Sequence, residues 1–351
     1  MALSVMEVYG GGAIGGAVEH MGLLFNTLAL EGLEVSLLSL PPHAAVLPAE
    51  KAGLRVLEAS NEMQASEILR SVRPDIVHTH GLRPAVTAMR AGVHPWVRTV
   101  HSTIRSDYTS PLKLIPALAI ERRALHLSDL VIAISRHVAD ERICLGVPRE
   151  HVVVIPNAVP DVTQPKPGTV WQAEFGLPPS ARVAVVLARL EAVKGVDRAV
   201  AALARLPHEW HLVVFGEGSR RDQLLRMAQE LRLTDRTHLA GYRPDARAYL
   251  AASDVIVIPS REEGLSNVAL EAMAARRPVA AMRTGGIPEA LGEVAVYSET
   301  RDPGDLARAI LAAWAARDDL GERGRRRYED HFTPRVFARR TADALRGAGA
   351  T

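Results

Sequence analysis

The chain has 351 residues, 48% of them hydrophobic and 23% charged, which suits a globular protein of two α/β domains and excludes a low-complexity or disordered chain. A net charge of +2 excludes the strong positive field of a nucleic-acid-binding protein, so no nucleic-acid partner is expected. The single cysteine, Cys144, excludes an internal disulfide and agrees with a reducing compartment. No apolar run approaches the roughly 18 residues of a membrane span. The opening Met1-Ala2-Leu3-Ser4-Val5 lacks the basic start of a secretory signal, so a cytoplasmic protein is expected.

Short apolar runs alternate with helical patterns, the signature of βαβ units and parallel sheets. Strands are predicted near 5–9, 35–40, 75–79, 97–101, 130–134 and 152–155, with helices between them such as 17–30 and 114–127. Four prolines between 156 and 167 mark a linker. The alternation then restarts, with strands near 183–188, 211–215, 237–239, 255–258 and 279–282 and helices near 197–206, 221–231 and 245–252. A further helix starts near Ser266. From Asp302 the chain is helical and rich in arginine, interrupted at Phe332-Thr333-Pro334. The expectation is an α/β protein with two doubly wound, Rossmann-like domains, residues 1–165 and 166–330, facing a cleft. A helical tail, 331–351, is expected to pack back on the first domain. In such sheets ligands sit beyond the carboxyl ends of the strands.

Two carboxylates stand out, Glu263 in a loop after the predicted strand 255–258 and Glu271 in the helix that follows. A loop aimed at a helix N-terminus suits a phosphate, and carboxylates beside it suit sugar hydroxyls. Together they suggest a sugar-phosphate ligand. Arg189 and Lys194 follow the predicted strand 183–188 at its carboxyl end, where fixed cations suit a diphosphate leaving group. Lys194 is one of only four lysines, against 38 arginines, which makes its position informative.

Gly10-Gly11-Gly12-Ala13-Ile14-Gly15 matches the dinucleotide pattern G-x-G-x-x-G. The acid that should end the second strand is missing, since that strand ends Leu38-Ser39-Leu40-Pro41. The loop also runs on to Gly16. Its glycines, Gly15 and Gly16 among them, are suited to approach a phosphate or a polar acceptor with their backbone. His78 and His80 flank a strand end and read as structural, too close together and too short of partners for a metal site.

Several motifs occur in order along nearly the whole chain. They are the glycine loop followed by Glu19, then Arg73-Pro74-Asp75-Ile76-Val77-His78-Thr79-His80, Val100-His101-Ser102 and Ala133-Ile134-Ser135. Val154-Ile155-Pro156-Asn157, the segment Ala188–Gly195, Phe215-Gly216-Glu217-Gly218, Gly241-Tyr242, the Glu263–Glu271 pair and Thr284-Gly285-Gly286-Ile287-Pro288-Glu289 follow. With these the chain resembles the GT-B glycosyltransferases, and among them the retaining family 4 that uses nucleotide sugars. The resemblance implies a metal-independent transfer with no cofactor beyond the nucleotide-sugar donor, a UDP-sugar being the usual choice. It implies that Glu271 holds the ribose hydroxyls and Glu263 the transferred sugar, and that His101 hydrogen-bonds the donor sugar. It further implies that Arg189 and Lys194 stabilise the leaving diphosphate. Backbone around Gly264, Leu265 and Ser266 would help to bind phosphate and sugar, with the base near Gly241 and Tyr242. The catalytic set would be His101, Arg189, Lys194 and Glu263.

The acceptor would be a small molecule, a saccharide or a lipid-linked sugar, the last reached by a peripheral membrane contact of the basic, apolar segment 111–127 at the inner face of the membrane. Two departures are visible. Gly264-Leu265-Ser266 replaces the common Gly-Phe-Gly and looks like transferases of surface-polysaccharide assembly, and Ala158-Val159-Pro160 replaces the common Gly-Val-Asp. A sugar-nucleotide epimerase of the same architecture and a catalytically silent nucleotide-sugar-binding subunit stay open as alternatives.

Overall fold

The computed structural model describes residues 2–11, 16–104, 110–162 and 165–350. They form two compact units, Met1–Val159 with Phe332–Thr351, and Pro160–His331. The division falls within the proline-rich stretch but before the expected 165/166 boundary, and the tail is not a body of its own. The helix Pro334–Gly349 belongs to the first unit, where Phe337, Ala342 and Leu345 join the same core as Leu24 and Leu28 of the helix Gly16–Leu28. Its start is fixed locally, because Thr333 caps the backbone N–H of Val336 and Pro334 occupies the first turn.

The first unit carries a seven-stranded parallel sheet built from β1 (Ser4–Tyr9), β2 (Glu34–Ser39), β3 (Arg55–Glu58), β4 (Ile76–His80), β5 (Trp96–Val100), β6 (Leu130–Ala133) and β7 (Val152–Val154), in the order β3-β2-β1-β4-β5-β6-β7. The second carries a six-stranded parallel sheet of β8 (Arg182–Leu187), β9 (Trp210–Phe215), β10 (Thr237–Gly241), β11 (Val255–Ile258), β12 (Val279–Met282) and β13 (Ala295–Ser298), in the order β10-β9-β8-β11-β12-β13. Both are doubly wound Rossmann orders, in which the strand order reverses between β1 and β4 and again between β8 and β11.

β11 and β12 read as unbroken apolar runs because helices cover both faces of a parallel sheet. All six residues of β9 and all four of β11 are buried. β3 and β13, which the apolar pattern did not predict, are four-residue strands at sheet edges. β3 is charged at both ends and β13 buries only Ser298, so neither shows an apolar run.

Candidate functional site

β8 and β11 pair at the reversal of the second sheet, and each passes into a loop at its carboxyl end. The loop after β8 carries Arg189, which is exposed, and then Lys194 at the end of a short 3-10 turn. The loop after β11 carries Ser260, Arg261 and Glu263 before the helix Asn267–Ala274. Arg261 clamps the two loops together. Its backbone N–H donates to the carbonyl of Val193 at 2.8 Å, and Nη1 donates to the carbonyl of Ala192 at 2.7 Å. Its guanidinium also forks onto the Asp197 carboxylate at 2.8 and 2.5 Å.

The clamp brings Lys194 and Glu263 into contact. Lys194 Nζ donates to both carboxylate oxygens of Glu263, at 2.8 and 3.0 Å, and Ser260 Oγ donates to Oε1 at 2.7 Å. The pair stays accessible, with side-chain exposures of 23% for Lys194 and 13% for Glu263. A ligand can therefore reach an ammonium and a carboxylate held side by side.

The glycine turn after β12 supports the same loop. A Cβ on Gly285, whose φ is +51°, would lie 2.1 Å from the carbonyl oxygen of Glu263, and one on Gly286 would lie 2.1 Å from that of Gly264. Only glycine permits this approach, which lets Gly286 N–H donate to the Glu263 carbonyl at 2.9 Å. Leu265 anchors the loop with a side chain 1% exposed. Ser266 stands just before the helix at φ 103° and ψ 95°, a conformation that side-chain-bearing residues rarely adopt and that is often held at functional sites.

Glu271 is buried in that helix at 4% exposure and accepts from Arg247 Nε at 2.7 Å. Arg247 belongs to the helix Ala246–Leu250, so Glu271 is tied to the segment that joins β10 to β11. Gly241 ends β10 at φ +74°, and Tyr242 follows with 58% of its surface exposed. A polar cavity of 340 Å³, lined by Asp254, Arg276, Arg277 and Asp318 among others, opens instead at the amino ends of β11 and β12, the opposite end from the one ligands favour.

In the first unit Gly10 and Gly11 follow β1 and Gly16 opens the helix Gly16–Leu28, whereas Gly15 lies outside the described residues. β4 ends at His80, and His101 follows β5. Glu7, in the middle of β1, is fully buried and accepts from His78 Nδ1 at 3.0 Å and from His80 Nε2 at 2.7 Å. His78 Nε2 lies 2.7 Å from Thr99 Oγ1, and His80 Nδ1 lies 3.2 Å from His101 Nε2. His78 and His80, expected to lack partners, are thus joined by one carboxylate. The signal was a lone acid inside an apolar strand.

Burial, and then repulsion from His80 and His78, lowers the His101 pKa to about 3. Burial and His78 lower that of His80 to about 4, against the opposing pull of Glu7. At neutral pH His101 therefore offers a neutral hydrogen-bonding ring rather than a charge. His20 packs edge-on against it, with ring centroids 4.6 Å apart.

The segment after β5 is fixed by a buried ion triad. Glu121 lies 2.9 Å from Arg98 and 3.1 Å from Arg142, and Arg142 Nη2 donates to the carbonyl of Ser102 at 2.8 Å. Burial pushes the Glu121 carboxyl up, but the two guanidiniums hold it below the usual carboxylate range. The ligating atoms of His20, His80 and His101, like those of Glu7, His78 and His80, lie within 4.8 Å of one another, a spacing that would admit a metal ion. The expectation of too few partners is thus corrected. The hydrogen-bonded chain nevertheless pairs both carboxylate oxygens of Glu7 and both ring nitrogens of His80.

Comparison with known proteins places this arrangement. Residues 181–316 match the family described as Glycosyl transferases group 1, and residues 14–162 match Glycosyltransferase Family 4. The glycogen synthase of Mycobacterium tuberculosis is 30% identical over 319 residues, covering 85% of this chain and 73% of that protein. The N-acetyl-alpha-D-glucosaminyl L-malate synthase of Bacillus anthracis is 26% identical over 278 residues, covering 76% and 73%. The crystal structure of Anabaena Alr3699/HepE in complex with UDP and glucose superposes with a TM-score of 0.84 at 19% identity, covering 98% of this chain and 100% of that one. The chain belongs to the group 1 glycosyl transferases and is a glycosyltransferase of the GT-B fold.

Proposed function

We propose that this enzyme moves a sugar from a nucleoside diphosphate sugar, a UDP-sugar, to an acceptor hydroxyl, with retention at the anomeric carbon and without a metal ion. The observation that carries the reading is the Lys194–Glu263 pair at the reversal of the second sheet, with exposed Arg189 on the same loop as Lys194. The bond between the anomeric carbon and the diphosphate oxygen breaks, a bond to the acceptor oxygen forms on the same face, and the acceptor proton passes to the departing phosphate oxygen. Lys194 and Arg189 stabilise the charge that grows on that oxygen, in the place a metal ion would otherwise take. Glu263 accepts from hydroxyls of the transferred sugar and Glu271 from those of the ribose. Exposed Tyr242 lies against the base. The UDP and glucose bound by Alr3699/HepE support this choice of donor.

We assign the acceptor, a saccharide, a small hydroxylated molecule or a lipid-linked sugar, to the first unit. Among the described residues no helix is long and apolar enough to cross a membrane. The helix Pro111–Leu127 nevertheless exposes Leu112 at 88% and Ile115 at 70%, with Lys113, Arg122 and Arg123 also exposed. An apolar face mixed with cations suits an anionic membrane surface, in keeping with a lipid-linked acceptor in surface-polysaccharide synthesis. The test is incubation of the whole chain with radiolabelled UDP-, GDP- and ADP-sugars, with and without EDTA, followed by analysis of the anomeric configuration of the product. Transfer or slow hydrolysis of a UDP-sugar that survives EDTA is expected. Binding without turnover under every acceptor would favour a silent subunit, and loss of turnover in EDTA would overturn the metal-free mechanism.

A further inference from the structure

The chain of groups in the first unit has a direction. A carboxylate can only accept hydrogen bonds, and Glu7 is held as one, its pKa lowered to about 2 because His78 and His80 outweigh the opposing effect of burial. The Glu7 oxygens face His78 Nδ1 and His80 Nε2, so both of these nitrogens carry protons. A neutral imidazole has one N–H. With its proton on Nε2, His80 presents Nδ1 as an acceptor, and the atom facing it at 3.2 Å is His101 Nε2. That nitrogen must then carry the proton of His101. The neighbouring branch closes in the same sense, since His78 Nε2 is left to accept from the Thr99 hydroxyl at 2.7 Å. Glu7, His78 and His80 are buried at 2% or less, whereas His101 is only partly buried, so His101 is the end of the chain nearest solvent.

We infer that Glu7, acting through His80, is a positioning residue that holds His101 in its Nε2-protonated tautomer, with Nδ1 as a hydrogen-bond acceptor. The bearing on glycosyl transfer rests on the role that the family resemblance implies for His101, a hydrogen bond to the donor sugar. In that role its Nδ1 accepts a hydrogen bond from a sugar hydroxyl and donates none, so a deoxy or O-methylated sugar at the matching hydroxyl loses the contact. Glu7 touches no substrate, and its effect passes through the proton on His80. The same tautomer logic governs buried carboxylate–imidazole pairs in general, where the carboxylate selects the nitrogen that keeps the lone pair.

The experiment is long-range proton–nitrogen correlation NMR on the full chain labelled with ¹⁵N-histidine, with His101 assigned from a His101→Gln variant. The wild type at neutral pH is expected to show an unprotonated Nδ1 and a protonated Nε2 for both His80 and His101. A protonated Nδ1 on His101 in the wild type overturns the inference, whatever any variant does. Glu7→Leu removes the acceptor without adding a donor, and the His101 tautomer is then expected to invert or mix. An unchanged His101 tautomer in a folded Glu7→Leu protein overturns the inference as well. The matching kinetic change is a fall in kcat of about 10²-fold with a much smaller change in donor KM. The spectra need no substrate, so the tautomer assignment and the proposed transfer reaction stand or fall separately.

Discussion

Lys194 and Glu263 neutralise each other across two loops, and that contact sets what single substitutions do at the site. Lys194→Ala removes a cation whose value rises as the diphosphate leaves, so its effect belongs in kcat. Turnover of the nucleotide sugar is expected to fall about 10²-fold or more with a modest change in KM. Steady-state kinetics read this directly, and near-normal turnover would remove Lys194 from the mechanism. Ser266 offers a separate check on the loop, since its φ of 103° is strained for any side chain. Ser266→Gly is expected to leave stability unchanged or raise it by up to about 1 kcal/mol. Ser266→Val adds a β-branched side chain at that φ and should lower stability by about 1–3 kcal/mol. Urea denaturation of both proteins decides the matter, and equal midpoints for the two would show that the backbone at 266 relaxes freely.

At the scale of elements, the loops matter more than the strands. Gly285 and Gly286 sit against the carbonyls of Glu263 and Gly264, so the turn after β12 sets the height of the loop after β11. Gly286→Ala would put a methyl group 2.1 Å from a backbone oxygen with no flexible side chain to yield. A displacement of about 1 Å at a reacting group costs about 10²-fold in rate. Gly286→Ala is therefore expected to lose activity to that degree while the protein stays folded by circular dichroism. Retention of full activity would show that the turn does not set the loop. The buried strands were legible from short apolar stretches such as 255–258 and 279–282, and Glu263, Glu271, Arg189 and Lys194 were legible because each follows such a stretch. Edge strands β3 and β13 were not, since Arg-Val-Leu-Glu and Ala-Val-Tyr-Ser are too short and too polar to carry a pattern. Nor were the Arg261–Asp197 clamp and the Glu7–His80 contact, which join residues 64 and 73 positions apart. Spacing along the chain says nothing of such pairs, and an isolated acid inside the apolar strand β1 was the one hint of the second.

For the whole molecule, buried imidazoles make stability depend on pH, most strongly in the first unit, although burial lowers His211 and His238 of the second unit as well. The second unit holds the Lys194–Glu263 charge pair partly exposed beyond its strand ends. The first holds neutral imidazoles in its interior. His80 and His101 titrate at about 4 and about 3 when folded, below the value near 6.5 of an unfolded histidine. Between these limits the unfolded chain binds the extra protons, so stability is complete above pH 6.5 and falls as the pH drops toward 4 and then 3. Each histidine in that window adds a slope of about 1.4 kcal/mol per pH unit at most. Glu7, held at about 2 when folded, contributes stability that is present above about 4.5 and is lost as the pH falls further toward 2, so the histidines act alone between pH 6.5 and 4.5. Amide hydrogen exchange of peptides covering β1 and β4 should accelerate from pH 7 to pH 5 once the intrinsic pH effect on exchange is removed. A His101→Gln protein should show a shallower change, because one of the titrating rings is gone. If protection in β1 and β4 is flat over that range in the wild type, the imidazoles take up protons without opening the first unit, and its interior is not the acid-sensitive part of the enzyme.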